Sequence, residues 1–237
     1  MKESLPQKAY DELADSYAEL IDTKPHNAYY DRPAMQSLVF DVKGKKILDA
    51  GCGPGVYTEW LINQGADVVG LDANEKMIKH AIARNGDRAR FIRANLEEPM
   101  TFFHRDMFDG ILSPLTITYC KDLKRTFSEF SRILKNDGWF VFSTEHPFFS
   151  YGNNKIENYY NTKEVSCTWT GFHQPVEMKS YYHSLGTITD ALTSNGFVIE
   201  RILEPKPTEE FAENDREGYN KLLEFPLFIC IRAVKRS

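Results

Sequence analysis

The sequence predicts an α/β fold built around a mostly parallel sheet, and two patterns support this prediction. From residue 45 onward, short apolar runs alternate with segments in which apolar side chains recur at helical spacing. A glycine-rich loop at residues 51–55 joins the first of these runs to the helix that follows it. Strands that alternate with helices form parallel sheets with right-handed crossovers, so an open α/β sheet is expected.

Two amphipathic helices are predicted ahead of the sheet, over residues 6–21 and about 30–40. Strands are then predicted at residues 45–50, 67–71, 90–94, 107–112 and 139–144. The intervening helices are predicted at residues 56–63, 75–84 and 122–134, with a turn at residues 136–138. In the last of these helices Phe127 and Phe130 share one apolar face, which is typical of a helix docked on a sheet.

The alternation ends after Pro147, where residues 148–182 are crowded with aromatic side chains. Apolar and polar residues alternate at 165–169 and again at 176–178, a pattern typical of the two strands of a β-hairpin. We expect this hairpin to stand outside the main sheet. The remaining predicted elements are a helix at residues 185–194, strands at 197–203 and 225–234, and a polar surface segment at 205–220.

The composition is typical of one ordinary globular domain, with 237 residues of which 42% are hydrophobic. A net charge of -5 argues against a protein that grips nucleic acid by bulk positive charge. No apolar run is long enough to span a bilayer, and residues 1–17 lack the apolar segment of a signal peptide. The four cysteines are scattered without a C-x-x-C pair, so we expect no metal site and a reduced, cytoplasmic protein.

The main functional signal is the glycine loop and the acidic residue before it. The glycines of the loop follow the pattern G-x-G-x-G, whereas dinucleotide-binding loops follow G-x-G-x-x-G and would need a glycine where Val56 stands. Asp49 would repel a pyrophosphate, but it would attract the amino group of a methionine moiety. The loop therefore favours S-adenosylmethionine over a nicotinamide dinucleotide.

In these residues the chain resembles the class I S-adenosylmethionine-dependent methyltransferases, in particular the small-molecule enzymes with a D-x-G-C-G-x-G signature. The matching motifs are residues 49–55, 69–72, 93–97, 108–113 and 134–138. The resemblance implies a doubly wound, seven-stranded, mostly parallel Rossmann-like sheet with its last strand antiparallel. It also implies a single domain with this order of parts: an N-terminal helical cover at 1–42, a cofactor-binding core at 43–147, an aromatic β-hairpin lid inserted after strand five at 148–183, and the rest of the core at 184–237.

The resemblance also implies which residues bind S-adenosylmethionine. They are Tyr17, Arg32, Asp49, Ala50, Gly51, Gly53, Asp72, Ala73, Met77, Asn95, Leu96 and Ser113. Asp72 would accept hydrogen bonds from the ribose hydroxyls, and Asn95 stands where the family usually has an aspartate beside the adenine. Four of these assignments have a structural alternative: Asp72 as a helix cap, Met77 as core packing, Tyr17 as helix packing and Arg32 as a surface ion pair.

Methyl transfer is an in-line displacement that depends mainly on alignment, and an oxygen or nitrogen acceptor also benefits from a general base. Glu145 and His146 leave strand five where open α/β sheets bind ligands, and we take His146 as the candidate base. The alternative for His146 is a purely structural role in the turn before Pro147. For the acceptor pocket the candidates are Tyr151, Trp169, Tyr181 and His183. The alternative for this aromatic segment is a dimer interface.

The predicted function is methyl transfer to a small-molecule acceptor, with the attacking atom (O, N or C) left open. One alternative is an enzyme acting on RNA or protein, but residues 113–116 read S-P-L-T where amine-methylating nucleic-acid enzymes carry N-P-P-[YF] or a similar sequence, and no basic patch is present. Another is a protein that binds S-adenosylmethionine without turnover. We expect no nucleic-acid or membrane partner, and either a monomer or a homodimer.

Overall fold

The computed structural model describes residues 3–236, and a seven-stranded sheet forms the centre of this part of the chain. Met1, Lys2 and Ser237, which belong to the predicted helical cover and the predicted C-terminal part, lie outside the described residues. The strands are β1 (Lys46–Ala50), β2 (Asp67–Asp72), β3 (Arg90–Arg93), β4 (Phe108–Ser113), β5 (Leu134–Glu145), β6 (Lys163–Trp169), β7 (Val176–Tyr182), β8 (Phe197–Leu203) and β9 (Phe228–Lys235).

The helices lie between and before these strands. They are α1 (Gln7–Leu20), α2 (Arg32–Ser37), α3 (Val56–Asn63), α4 (Glu75–Asn85), α5 (Leu123–Ile133), α6 (Pro147–Asn153), α7 (Leu185–Thr193), α8 (Glu209–Asn214) and α9 (Arg216–Glu224). A π-helical turn at Asn27–Asp31 leads directly into α2, and short 3₁₀ turns occupy Gly86–Arg88 and Ile117–Tyr119.

The strand order confirms the predicted doubly wound sheet. The order is β3-β2-β1-β4-β5-β9-β8, so the chain winds outward from β1 in both directions. The first five strands pair in parallel, whereas β9 pairs antiparallel with both β5 and β8. The last strand of the chain is therefore antiparallel, as predicted. A crevice forms at the carboxyl ends of such strands where the winding reverses, which places the expected ligand site above β1 and β4.

Side-chain alternation along β5 divides the core between the two faces of the sheet. Phe140 and Phe142 pack with residues of α5 and α7 on one face. Trp139 and Val141, which point the other way, pack with residues of α2 and α3. Both faces of the sheet are thus covered by helices, which is why its central strands read as continuous apolar runs.

The hairpin of β6 and β7 forms a separate two-stranded sheet, which confirms its predicted place outside the main sheet. Val176 and Met178 on β7 pack against Ala9 and Leu13 of α1. The N-terminal helix and the hairpin therefore meet each other, although more than 140 residues separate them in the chain. Together they cover the edge of the sheet where β1 and β4 end.

Two segments contain helices that the sequence did not predict. The segment after β5 was expected to consist of the hairpin alone, but α6 precedes it, with Pro147 at its first position and a side-chain cap from His146. The polar surface segment predicted at residues 205–220 is mostly helical, since α8 and α9 occupy much of it. Phe211 is fully buried in a cluster with Tyr30, and this tertiary packing stabilises two helices whose sequence is mostly polar.

Three predicted boundaries also differ. The helix expected at residues 30–40 begins as the π-helical turn and ends at Ser37. The turn expected at residues 136–138 is an irregularity inside β5, where Asp137 has φ 60° and the register against β4 shifts. The last strand begins at Phe228 and not at residue 225 as predicted. The helix α9 ends at Glu224, and Phe225 follows it in an extended conformation outside the strand.

Phe140 lies at the centre of the aromatic core and generates a stability prediction. Its ring contacts those of Phe127, Phe130 and Phe142, and the side chain is fully buried. We expect Phe140→Ala to lower the free energy of unfolding by roughly 3–5 kcal/mol, because a cavity replaces the ring. Urea unfolding followed by circular dichroism measures this loss. Phe102→Ala is the control: Phe102 is 48% exposed, and its truncation should cost only about 0.5 kcal/mol.

Candidate active site

A cavity of about 420 Å³ opens at the carboxyl ends of the central strands. This volume lies within the range of roughly 300–1,000 Å³ that is usual for ligand pockets. The loops that follow β1, β2, β3 and β4 form one side of the cavity, and α1 with the β6–β7 hairpin forms the other. The sheet thus supplies a floor of backbone and polar groups, while the covering elements supply mainly aromatic surface.

The glycine loop after β1 forms part of the floor. The N–H groups of Gly51 and Cys52 both donate to the carbonyl of Leu71, at 2.7 and 2.9 Å, which holds the loop against the end of β2. Gly51 has φ +83°, and a Cβ there would lie 2.3 Å from the Thr116 side chain. Gly53 has φ +51° and lines the cavity with no atom within 4 Å of its Cβ position, so a side chain there would occupy ligand space.

Asp72 ends β2 and connects two backbone segments at the cavity. Its Oδ2 accepts from the N–H of Gly53 at 2.9 Å, and its Oδ1 accepts from the N–H of Asn74 at 2.8 Å. Burial raises the pKa of this carboxyl group, and these backbone donors offset part of the rise. The N-cap of α4 is Asn74, whose side chain accepts from the N–H of Met77. The helix-cap alternative for Asp72 therefore does not hold.

Asp49 lies beneath the loop and outside the lining of the cavity. Its side chain is fully buried, and Oδ2 accepts from the hydroxyl of Thr58 at 2.6 Å. Among the described residues Oδ1 has no hydrogen-bond partner, and burial raises the pKa of Asp49 to about 7. This geometry ties β1 to the first turn of α3 and does not place the carboxylate where it would directly pair with an amino group in the cavity.

The turn after β4 holds a backbone conformation that is rare outside glycine. Leu115 has φ +50°, and its N–H donates to the carbonyl and the hydroxyl of Ser143 at 3.1 and 3.0 Å. Strained residues of this kind are concentrated at functional sites. Here the strain turns Pro114, Leu115 and Thr116 into the cavity lining. Ser113 lies below, where its hydroxyl donates to the carbonyl of Ala50, and both of these residues are buried outside the lining.

The segments after β2 and β3, including the first turn of α4, bring four of the predicted residues to the same wall. Ala73, Met77, Asn95 and Leu96 all line the cavity. The Oδ1 atom of Asn95 accepts from the N–H of Glu97, which fixes the side chain in a local turn. Met77 is only 2% exposed, so its position in the wall is as well packed as a core position.

Aromatic rings from α1 and the hairpin close the opposite side. Tyr17 stacks on Phe172 with the ring centroids 5.5 Å apart, and Phe172 in turn stacks on Trp169 at 5.7 Å. Tyr10 contacts Trp169 edge-on, and its hydroxyl lies 3.0 Å from that of Tyr119. We call the part of the cavity between these five rings the aromatic chamber. Its two halves come from segments distant in sequence, so the chamber exists only when α1 and the hairpin are docked.

Three of the predicted acceptor residues lie outside the cavity. Tyr181 points away from it because alternate residues of β7 face opposite sides, and Met178 and Ser180 are the ones that line the cavity. Tyr151 lies on α6, where its ring contacts that of Tyr159. His183 is buried, with its ring nitrogens bonded to Thr162 and to the carbonyl of Cys120, and burial lowers its pKa to about 4. Of the four predicted acceptor residues, Trp169 is the one that lines the cavity.

His146 and Arg32 also have structural partners away from the cavity. The Nδ1 atom of His146 accepts from the N–H of Phe148, and its Nε2 lies 3.0 Å from Glu204. His146 therefore caps α6, in agreement with the structural alternative, whereas its neighbour Glu145 lines the cavity. The guanidinium of Arg32 donates to the carbonyl of Ile21 at 2.7 Å and connects the end of α1 to α2.

Comparison with known proteins identifies the family. A family model described as a methyltransferase domain matches residues 48–142. An uncharacterized protein of Methanocaldococcus jannaschii is 30% identical over 80% of this chain and 75% of its own length. The crystal structure of an S-adenosylmethionine-dependent methyltransferase from Mesorhizobium loti is 27% identical, with a TM-score of 0.72 over 91% of this chain and all of that one. The chain belongs to the class I S-adenosylmethionine-dependent methyltransferases.

A third relative of this methyltransferase indicates an acceptor without covering the whole chain. The malonyl-[acyl-carrier protein] O-methyltransferase of Hamiltonella defensa is 32% identical over 44% of this chain and 39% of its own length. The match is limited to less than half of either protein, so it bears on the shared methyltransferase core. It does not carry the acceptor of that enzyme over to this one.

Some residues of the methyltransferase cavity were absent from the predicted site. Glu145, Tyr119, Phe172 and Met178 line it, as does Tyr10. Alternation along β7 could have identified Met178, since it faces the same way as the apolar Val176. For Tyr119 and Phe172 we find no signal in the sequence, because their place depends on how the turn after β4 and the hairpin dock.

The geometry of Gly53 leads to a prediction about cofactor binding. Gly53→Ala should weaken binding of S-adenosylhomocysteine at least about ten-fold, or roughly 1.4 kcal/mol, because the added methyl group occupies cavity space. Isothermal titration calorimetry measures the dissociation constant. Gly44→Ala is the matched control, since Gly44 has φ +72° with no atom within 4 Å of its Cβ position and lies outside the cavity lining. Wild-type affinity in Gly53→Ala would place the cofactor elsewhere.

Asp72 supports a second binding prediction. Asp72→Ala should raise the dissociation constant of S-adenosylhomocysteine more than about ten-fold, because hydrogen bonds to a charged acceptor contribute roughly 1.5–3 kcal/mol each. Asp67→Ala, at the opposite end of β2, is the control because Asp67 is exposed and pairs with Lys46. Thermal unfolding must show that both variants fold. Equal affinities in the two variants would limit Asp72 to a structural role in the loop.

Proposed function

We propose that this methyltransferase transfers a methyl group to a small-molecule acceptor held in the aromatic chamber. The observation that carries the proposal is one continuous cavity, which runs from Gly53 and Asp72 to the rings of Tyr17 and Trp169. A cavity that reaches from the glycine loop to an apolar chamber offers a polar end for the cofactor and an apolar end for an acceptor. Pockets for small molecules are mostly apolar with a few polar groups that orient the ligand, and this cavity has that character.

The residues on the floor would bind S-adenosylmethionine. Asp72 keeps acceptor capacity for ribose hydroxyls, since each carboxylate oxygen has more than one lone pair and the backbone donors use one apiece. Ala73, Met77, Asn95 and Leu96 would enclose the adenine. When bound, S-adenosylmethionine supplies a methyl group on a positively charged sulfur, which leaves as a neutral thioether.

The chamber residues would orient the acceptor and exclude water. A positive sulfur beside the ring of Tyr17 would gain cation–π attraction, and Trp169 and Phe172 would cover the acceptor side. Because the leaving group is neutral, the protein needs little electrostatic stabilisation of it. Holding the acceptor atom in line with the methyl group then supplies much of the rate enhancement.

The rival functions receive less support from the cavity. A nucleic-acid methyltransferase needs cations along the path of the phosphates, yet among the described residues that line the cavity Lys24 is the only lysine and arginine is absent. A protein that binds the cofactor without turnover would have its acceptor space filled or blocked. In the described structure the chamber is open and continuous with the cofactor floor.

Trp169 provides the test of this proposal. Trp169→Ala should leave the affinity for S-adenosylhomocysteine and the oligomeric state unchanged but reduce turnover of an acceptor, because it removes one wall of the chamber. Tyr160→Ala is the control: Tyr160 is an aromatic residue of the same segment that is 80% exposed and lies outside the cavity. Size-exclusion chromatography with light scattering and a methyl-transfer assay give the readouts. A dimer that dissociates while each subunit keeps full turnover would identify the segment as an assembly surface.

A further inference from the structure

Glu145 marks the acceptor end of the cavity. It is the last residue of β5, and Asp72 is the last residue of β2. In the order β2-β1-β4-β5 these strands are three spacings apart, which is roughly 14 Å. Two carboxylates therefore line one cavity from strands that are not adjacent. The one at β2 belongs to the cofactor floor, and the one at β5 lies beyond the turn after β4, on the side of the chamber.

The surroundings of Glu145 are mostly apolar or neutral. Tyr119 and Cys167 lie close enough for its charge to raise their pKa values, and Phe228 is its register partner on β9. Burial raises the pKa of Glu145, and a hydrogen bond from the hydroxyl of Ser150 offsets only part of this rise. A carboxylate in such surroundings gains strongly from a ligand that brings a positive charge or a proton donor.

Both basic side chains in the described lining are already engaged or uncharged. The ammonium of Lys24 donates to the carbonyl of Gly171 at 3.0 Å and lies 4.2 Å from the centroid of the Phe172 ring. Burial lowers the pKa of His26, whose ring packs edge-on against Phe211. Among the described lining residues two carboxylates, Asp72 and Glu145, therefore stand against one ammonium, that of Lys24. The chamber favours a positively charged acceptor.

We propose that the acceptor is an amine, and that the Glu145 carboxylate binds its ammonium form and takes its proton. This proposal rests on the proposed function, because it concerns the molecule held in the same chamber. The rings of Tyr10, Tyr119 and Trp169 would flank the cation and add cation–π attraction to the ion pair. The acceptor class then differs from the malonyl group named for the Hamiltonella relative, which carries a carboxylate.

The Glu145 carboxylate, the amine and S-adenosylmethionine together account for every proton and electron pair in the reaction. A proton passes from the ammonium nitrogen to the Glu145 carboxylate and leaves a neutral amine with a free lone pair. That lone pair forms the new N–C bond while the C–S bond breaks, and the electron pair of the broken bond stays on sulfur. The products are an N-methylammonium ion, a neutral thioether and protonated Glu145, which returns its proton to solvent.

The proposal has a pH signature. The groups that face Glu145 are Tyr119 from the turn after β4, Cys167 from β6 and Ser150 from α6, all uncharged at neutral pH. The charged groups that also line the cavity are Lys24, over the ring of Phe172, and Asp72, whose charge acts on Tyr10 and Tyr17. Protonation of Glu145 removes both the ion pair and the proton acceptor. The value of kcat/KM should therefore fall as the pH falls through the raised pKa of Glu145.

The experiment measures transfer of tritium from labelled S-adenosylmethionine to matched acceptors in which one carbon skeleton carries an amine, a hydroxyl or a carboxylate. Phenethylamine, phenethyl alcohol and phenylacetate form one such set, and aliphatic sets extend the panel. We expect methylation of amines and a loss of roughly 100-fold or more in kcat/KM in Glu145→Gln, with unchanged affinity for S-adenosylhomocysteine. Glu145→Asp should retain part of the activity and the acid limb of the pH profile, which Glu145→Gln should lack.

Glu204→Gln is the matched control, because Glu204 pairs with His146 outside the cavity and is largely exposed. This variant should methylate amines at the wild-type rate. Methylation confined to hydroxyls or carboxylates, full amine turnover in Glu145→Gln, or no amine turnover by a protein that binds the cofactor would each overturn the proposal. Wild-type protein that fails to bind S-adenosylhomocysteine would instead overturn the proposed function on which it rests.

Discussion

The rest of the site depends on one carboxylate that accepts two backbone hydrogen bonds. Asp72 receives the N–H of Gly53 from the loop after β1 and the N–H of Asn74 from the start of α4. These bonds connect the ends of two neighbouring strands at the point where the sheet winds outward in both directions. They fix the glycine loop against the end of β2, and the carboxylate that accepts them lines the cavity. These two hydrogen bonds therefore set the position of the cavity floor.

The cover is held together by side-chain packing between segments that are far apart in the chain. The floor is built by short connections between adjacent strands, whereas the chamber requires α1 to meet the β6–β7 hairpin across stacked rings such as Tyr17 on Phe172. The contacts are mainly apolar and aromatic, with two polar ones at the hairpin turn: Lys24 donates to the carbonyl of Gly171, and a ring nitrogen of His173 lies 3.1 Å from the carboxylate of Glu19. A floor fixed by backbone bonds and a cover fixed by side-chain packing can vary independently. This arrangement suits a family that keeps one cofactor and changes its acceptors.

The sequence predicted the floor better than the cover for the same reason. The strand order, the glycine loop and Asp72 rest on local patterns, namely apolar runs, glycine spacing and an acidic residue at a strand end. Which residues of the cover line the cavity depends on the direction in which each side chain points after docking. His146 was chosen over its neighbour Glu145, yet His146 caps α6 and Glu145 faces the cavity. Tyr181 was chosen, yet Ser180 faces inward, so a shift of one position separates a lining residue from an outer one.

The dependence on side-chain direction also explains why the charge of the cavity could not be inferred from composition. The chain carries 29 basic and 34 acidic residues, but burial and orientation place Asp72 and Glu145 in the cavity and commit Lys24 to the hairpin. Burying a carboxylate is unfavourable unless it is partnered, and Ser150 offsets only part of this effect at Glu145. A cation that enters the chamber would complete the compensation. The stability of the empty fold and the affinity for an amine would then be set by the same buried charge.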